Sequence, residues 1–246
     1  MNELLPELDI VPPERQRRLT VLLRLLLLIP QLIAVAVLGV AVFFVAIIGW
    51  FAALFTGQLP TWAYYFLSSY LAYETRVLAS QSLLVDKYPP FSFDAPDYPV
   101  QIELRPAELN RLAVLARIIL IIPASIVNSV ITTGWGICAF FIWLIVLVMG
   151  RMPEPLFEAT AAVVRYGMRV EAYWLMLTTA YPKRLFGDGE GQAAPGTNAT
   201  RPFLMTTAGR VILIVIIVLG VAGAIGGGFG SDSNNNDSTT AQPINP

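Results

Sequence analysis

Histidine is absent from this 246-residue chain, and cysteine occurs once, as Cys138. The first absence removes the commonest general base and the commonest metal ligand. The second removes internal disulfides and thiolate metal cages. Charge is also scarce, at 13% of residues where a soluble domain carries about a quarter. A net charge of −1 leaves no bulk attraction for nucleic acid. What is there instead is apolar: 56% of residues are hydrophobic and the mean hydropathy is +0.64. This balance excludes a disordered chain, a collagen, a disulfide scaffold and an ordinary soluble enzyme. It describes a surface turned toward lipid.

Residues 1–18 are polar and carry both signs, and apolar sequence then runs over 19–56, broken only by Arg24, Pro30 and Gln31. A signal-peptide core would be roughly 7–15 residues long and would end at a small-residue cleavage site. The run reads as retained membrane sequence. No myristoylation or prenylation signal accompanies it.

An internal repeat organises the chain. A shift of 93 residues aligns 6–93 with 99–186 without a gap, and roughly a quarter of the positions are identical. The identities include Pro30/Pro123, Arg24/Arg117, Trp50/Trp143, Gly57/Gly150, Pro60/Pro153, Tyr73/Tyr166 and Arg76/Arg169. Chance likeness between apolar helices would match Leu and Val, not Pro, Gly, Arg and Trp at one offset.

The expected fold is an all-α integral membrane protein built from this tandem repeat. Repeat one occupies 1–97 and repeat two 98–186. Each opens on a short extended lead, 5–11 and 98–104, the second alternating apolar and polar residues. An amphipathic elbow helix follows, 14–29 and 107–122, too short in apolar residues to cross and placed in the headgroup plane. Pro30 and Pro123 mark the bend into spans at 31–56 and 124–149. At about 1.5 Å per residue these reach about 39 Å, enough for a core of about 30 Å. Gly57 to Pro60 and Gly150 to Pro153 make the turns into return helices at 61–85 and 154–180. A linker spans 187–209, an unrepeated transmembrane helix 210–229, and a Ser/Asn-rich tail without an apolar core, 230–246, reads as disordered.

Basic residues favour a topology. Arg15, Arg17, Arg18, Lys87, Arg105, Arg111, Lys183, Arg184, Arg201 and Arg210 fall in three segments, while the tips at 57–60 and 150–154 hold only Arg151. The positive-inside tendency places those segments in the cytoplasm and the tips outside. Five spans and parallel repeats follow, with the amino terminus inside and the tail outside.

The pattern Arg18-Leu19…Arg24…Ile29-Pro30, Phe55-Thr56-Gly57…Pro60, Tyr73…Arg76-Val77 and Tyr88-Pro89-Pro90-Phe91 resembles a bacterial membrane family known as domain of unknown function 4389. The likeness covers 6–93 and 99–186. Copy two departs at Val148-Met149-Gly150 and at Tyr181-Pro182-Lys183-Arg184. The resemblance implies a bacterial cytoplasmic-membrane protein and carries no reaction with it.

Candidate functional residues are few. Arg76 and Arg169 recur inside the return helices, with Glu74, Glu171, Glu158 and Arg165 as polar companions, and a charge inside a span is by default functional. The structural alternative, an inter-helix salt bridge or snorkelling, carries the greater weight. Arg17, Arg18, Arg24, Arg111 and Arg117 are candidate contacts to anionic headgroups, or plain topology determinants. Ala222, Gly223, Gly226 and Gly227 make small-xxx-small pairs suited to close helix packing. Asp86, Asp94, Asp97 and Glu103 read as a solvated loop, and Cys138 as packing. No cofactor, metal or nucleic acid is implied, and no catalytic set is present. The partners expected are the bilayer and either a second membrane protein or a second copy, met through the last helix. The ranking is a non-catalytic scaffold or accessory subunit first, a small transporter or lipid-handling protein second, and an enzyme last.

Overall fold

The computed structural model describes residues 5–106, 109–187 and 203–229. The tail at 230–246 and most of the linker lie outside them. The elements are β1 (Glu7–Ile10), α1 (Arg18–Thr56), α2 (Thr61–Gln81), β2 (Val100–Glu103), α3 (Arg111–Met149), α4 (Glu154–Trp174) and α5 (Thr207–Phe229).

The expectation of separate elbow and span helices is corrected. The elbow at 14–29 and the span at 31–56 are one helix of 39 residues, α1, and 107–122 with 124–149 likewise form α3. Both run through their prolines. A proline removes one N–H from the ladder. In apolar surroundings every further unmade backbone bond is costly, so the helix continues on both sides. The starts fall later than expected because Arg17 and Asn110 are extended. The Asn110 side chain caps α3 by accepting from the Leu112 amide at 3.0 Å. Gly57 (φ 79°) and Gly150 (φ 68°) close the helices in the left-handed conformation that glycine adopts without strain.

The return helices are also shorter than expected, ending at Gln81 and Trp174. The two extended leads, far apart in sequence, pair as an antiparallel sheet with Glu7 opposite Glu103 and Ile10 opposite Val100. The described residues are therefore helical with one small sheet.

Among the described residues, three helices, α1, α3 and α5, are long and apolar enough to cross a membrane, and α2 and α4 are not among them. Burial explains the division. Along α1 a single stripe is buried, including Val21, Arg24, Leu28, Gln31, Val42, Gly49 and Ala53, while the rest of its surface exposes Leu, Ile, Val and Phe. Its spacing of three, four and seven is that of one helical face. By contrast α4 is buried almost all round, from Glu158 to Tyr173. The molecule is thus layered. The apolar helices α1, α3 and α5 form one side, α2 and α4 the middle, and the sheet with its charged loops the other side.

Candidate functional site

The return helices hold most of the buried polar groups, and the two copies handle their ends alike. After α2 the chain turns at Leu83 (φ 60°), and after α4 at Met176 (φ 61°). Leu84 N–H donates to Ala79 O and Leu177 N–H to Ala172 O, both at 3.0 Å, closing a Schellman-type cap. A left-handed non-glycine residue costs about 1–2 kcal/mol. Here its side chain is needed: Leu83 and Met176 are both buried in apolar clusters.

Arg24 and Arg117 lock these turns. Arg24 Nη1 donates to Val85 O at 2.6 Å and Ser80 Oγ at 3.0 Å, and Nη2 sits 3.4 Å from Asp86. Arg117 Nη1 donates to Tyr173 O at 2.6 Å and Nη2 to Thr178 O at 3.0 Å, with its guanidinium 4.2 Å from the centre of the Tyr173 ring. A fork of charged donors suits a helix carboxyl end, where carbonyls lack partners and the dipole is negative. Both arginines are buried. Of the five arginines expected at headgroups, these two face inward, and Arg17, Arg18 and Arg111 are exposed. Arg18 Nη2 reaches Val148 O at 3.0 Å.

Arg76 and Arg169 also spend donors on backbone. Arg76 Nη2 donates to Ser92 O at 2.7 Å and Phe93 O at 2.9 Å; Arg169 donates to Pro6 O and Lys183 O, both at 3.0 Å. Each ties its return helix to chain on the polar side. Glu158 caps α5, accepting from the Thr206 hydroxyl at 2.6 Å and amide at 3.0 Å. The Arg165 guanidinium lies 5.3 Å from the centre of the Phe203 ring. In the loop, burial pushes the Tyr98 phenol up to about 12 against the opposing pull of Arg24 and Arg76. It stays neutral and donates to Lys87 O at 2.9 Å.

The close packing expected of α5 occurs inside the chain. A Cβ on Gly134 of α3 would fall 1.8 Å from Ile216 O, and one on Gly220 1.9 Å from Val130 O, so only glycine permits this crossing. Gly223 faces Ile137 and Thr133, whereas Ala222 is exposed and Gly226 has nothing within 4 Å of a built Cβ. The surroundings of Gly227 lie outside the described residues.

A cavity of about 480 Å³ lies between α1, α2, the start of α3 and the end of α4. Gly39, Val42, Ala46 and Trp50 form its wall on α1, and Tyr70, Arg117 and Glu171 supply its polar end. The exposed rings of Phe43, Phe51 and Trp174 stand at its rim. Glu171 lies beside Glu74, with the Tyr70 hydroxyl close to both carboxyl groups. Glu74 Oε2 is buried without a partner. Glu74 and Glu171 are thus brought together, but away from Arg76.

The pseudo-equivalent place is built differently. Trp135 stands where copy one has Val42, and it packs against the cluster of Val21, Leu83, Ile142 and Val146. Leu78 stands where copy two has Glu171, and Val163 where copy one has Tyr70. Sequence reasoning missed Tyr70 and the inward role of Arg117. The usable signal lay where the copies differ, not where they agree. Among the described residues no group of three metal-ligating side chains occurs.

Compared with protein-family models, the chain matches the one described as Domain of unknown function (DUF4389) twice, over residues 18–92 and 111–185. The two matches start 93 residues apart, the offset of the repeat. No curated protein and no solved structure matches.

Proposed function

The chain belongs to the DUF4389 family in two tandem copies, and from that premise we propose that it is a non-catalytic, lipid-handling protein of the bacterial cytoplasmic membrane. The observation that carries this reading is the inequality of two equivalent places. One is filled by Trp135; the other is an open cavity that ends on a carboxyl pair and has aromatic rings at its mouth. Its size falls within the roughly 300–1,000 Å³ of ligand sites, which are mostly apolar with a few placed polar groups. Its rim lies on the apolar side of the molecule, so the fitting occupant is an acyl chain. A hydroxyl or amino group at its head would donate to Glu171. Arg76 and Arg169, the first candidates for this role, support it only by tying the return helices down.

Native mass spectrometry of detergent-purified protein tests the proposal. The wild type should retain a lipid, Val42→Trp should lose it by copying the filled side, and Glu171→Gln should retain less. Equal lipid occupancy in all three proteins sinks it. The scaffold reading is favoured by one feature, the open small-residue surface at Ala222 and Gly226. Purification in mild detergent separates the two readings: a lone monomer with bound lipid supports lipid handling and counts against a scaffold.

A further inference from the structure

The two repeats are related by a pseudo-two-fold axis, visible in reciprocal contacts. Gln16 N–H donates to Gly150 O at 2.8 Å, and its counterpart Leu109 N–H donates to Gly57 O at 3.1 Å. Trp143 Nε1 donates to Val21 O at 3.0 Å, and its counterpart Trp50 Nε1 approaches Val114 O at 3.4 Å. The sheet obeys the same rule, since Glu7 opposite Glu103 and Ile10 opposite Val100 are each other's images. Contacts of this form, where i meets j and the copy of j meets the copy of i, are isologous. The late part of α1 lies at the early part of α3, and the reverse, so these helices run antiparallel about an axis through the centre of the sheet.

That axis has two simple orientations in a membrane. Lying in the bilayer plane, it would set the sheet at mid-depth and take Glu7, Asp9, Glu103 and Arg105 into the hydrocarbon with it, at about 2.5–3.5 kcal/mol or more per charge. Standing along the normal, it leaves the charged side in water and turns the exposed apolar faces of α1 and α3 into lipid. A rotation about the normal preserves depth. Gly57 and Gly150 then share one depth, Gln16 and Leu109 share one depth, and the bonds between them make all four equal. Gln16 also follows β1 by six residues, a reach of at most about 20 Å. Both ends of both long helices are held on the polar side.

We infer that α1 and α3 do not cross the bilayer: the repeats embed in one leaflet from the cytoplasmic face, and α5 alone is left to span. Each long helix, about 58 Å at about 1.5 Å per residue, is nearly twice the length an upright span needs. Between Arg24 and Thr56, and between Arg117 and Met149, neither holds a charged residue, as a helix with a lipid-facing flank requires. The tips at 57–60 and 150–154 join the basic segments on the cytoplasmic side, and Arg151 ceases to be an exception to the positive-inside tendency. The α5 helix has no copy in the repeat, and its 23 residues reach about 34 Å, enough to span.

The experiment is cysteine labelling of the full chain in a Cys138→Ser background. Single cysteines replace Gln58 and Glu154 at the two tips and Asp97 in the central loop. A membrane-impermeant maleimide is applied to right-side-out and inside-out vesicles, with Arg151→Cys as a third tip if either variant fails to elute like the wild type. All positions labelling from the cytoplasmic face alone is the expected result. Tips that label from the opposite face to residue 97, or from neither face, overturn the inference.

Discussion

The two sides of the pseudo-axis solve one problem identically and another in opposite ways. At the carboxyl ends of α2 and α4, Arg24 and Arg117 bind the same pair of carbonyls, at 80 and 85 in one copy and 173 and 178 in the other. Beside those turns, one copy fills the gap under the long helix with Trp135, while the other leaves about 480 Å³ open beside Glu171. The shared device meets a backbone requirement. Carbonyls at a buried helix end need donors whatever the protein does. The unshared one meets no such requirement, and divergence inside a duplicated frame is where a specific function is to be sought.

The largest expected effect tests the shared device. Arg24→Ala and Arg117→Ala each strand buried carbonyls and empty a guanidinium's volume, which should cost about 3 kcal/mol or more. Thermal unfolding in detergent should show similar losses for both variants. A large loss in one and none in the other breaks the equivalence.

Next comes Trp135→Val, which gives copy two the side chain of copy one. Opening that gap should destabilise by about 2–4 kcal/mol, in the range of large-to-small core changes. The reverse change, Val42→Trp, should leave the unfolding midpoint near the wild type. Equal destabilisation by both would mean the cavity of copy one is already collapsed in solution.

A third contrast concerns α5. Gly134→Val places a branched side chain against the backbone of Ile216 and should cost about 1–3 kcal/mol by forcing α3 and α5 apart. Its counterpart in copy one, Ala41, is exposed, and Ala41→Val should change stability by less than about 0.5 kcal/mol. Cross-linking between cysteines on α3 and α5 reports the separation directly. Undiminished yield in Gly134→Val contradicts the close crossing.

The last contrast is local. Gln31 donates to Pro89 O at 2.7 Å and accepts from the Tyr73 hydroxyl, where copy two has Ala124. Gln31→Ala should cost about 1–2 kcal/mol, less than the arginine changes, because one buried carbonyl and one hydroxyl lose partners. No measurable shift in the unfolding midpoint would mean water replaces both bonds.

Much of this architecture was legible in the residues, and its failures have physical causes. The proline at 30 reads as a bend because proline breaks helices in water. In an apolar setting the helix runs on. The five arginines expected at headgroups look alike in sequence. Only Arg24 and Arg117 meet the carbonyl ends of return helices 56 or more residues later in the chain, which no local pattern reveals. Glu74 and Glu171 were singled out as polar groups in return helices, but as companions of arginine. The pairing of one with the other depends on α2 meeting α4.

From sequence alone came the membrane class, the duplication with its offset of 93, the glycine-closed helix ends and the extended leads. These follow from composition and from short-range backbone chemistry, which act within a few residues. Tertiary structure decided that the leads pair with each other, that α1 and α3 run antiparallel, and that one of two equivalent gaps stays open. Those outcomes depend on how two copies of one surface fit together, and a repeat in sequence specifies the surface without specifying the fit.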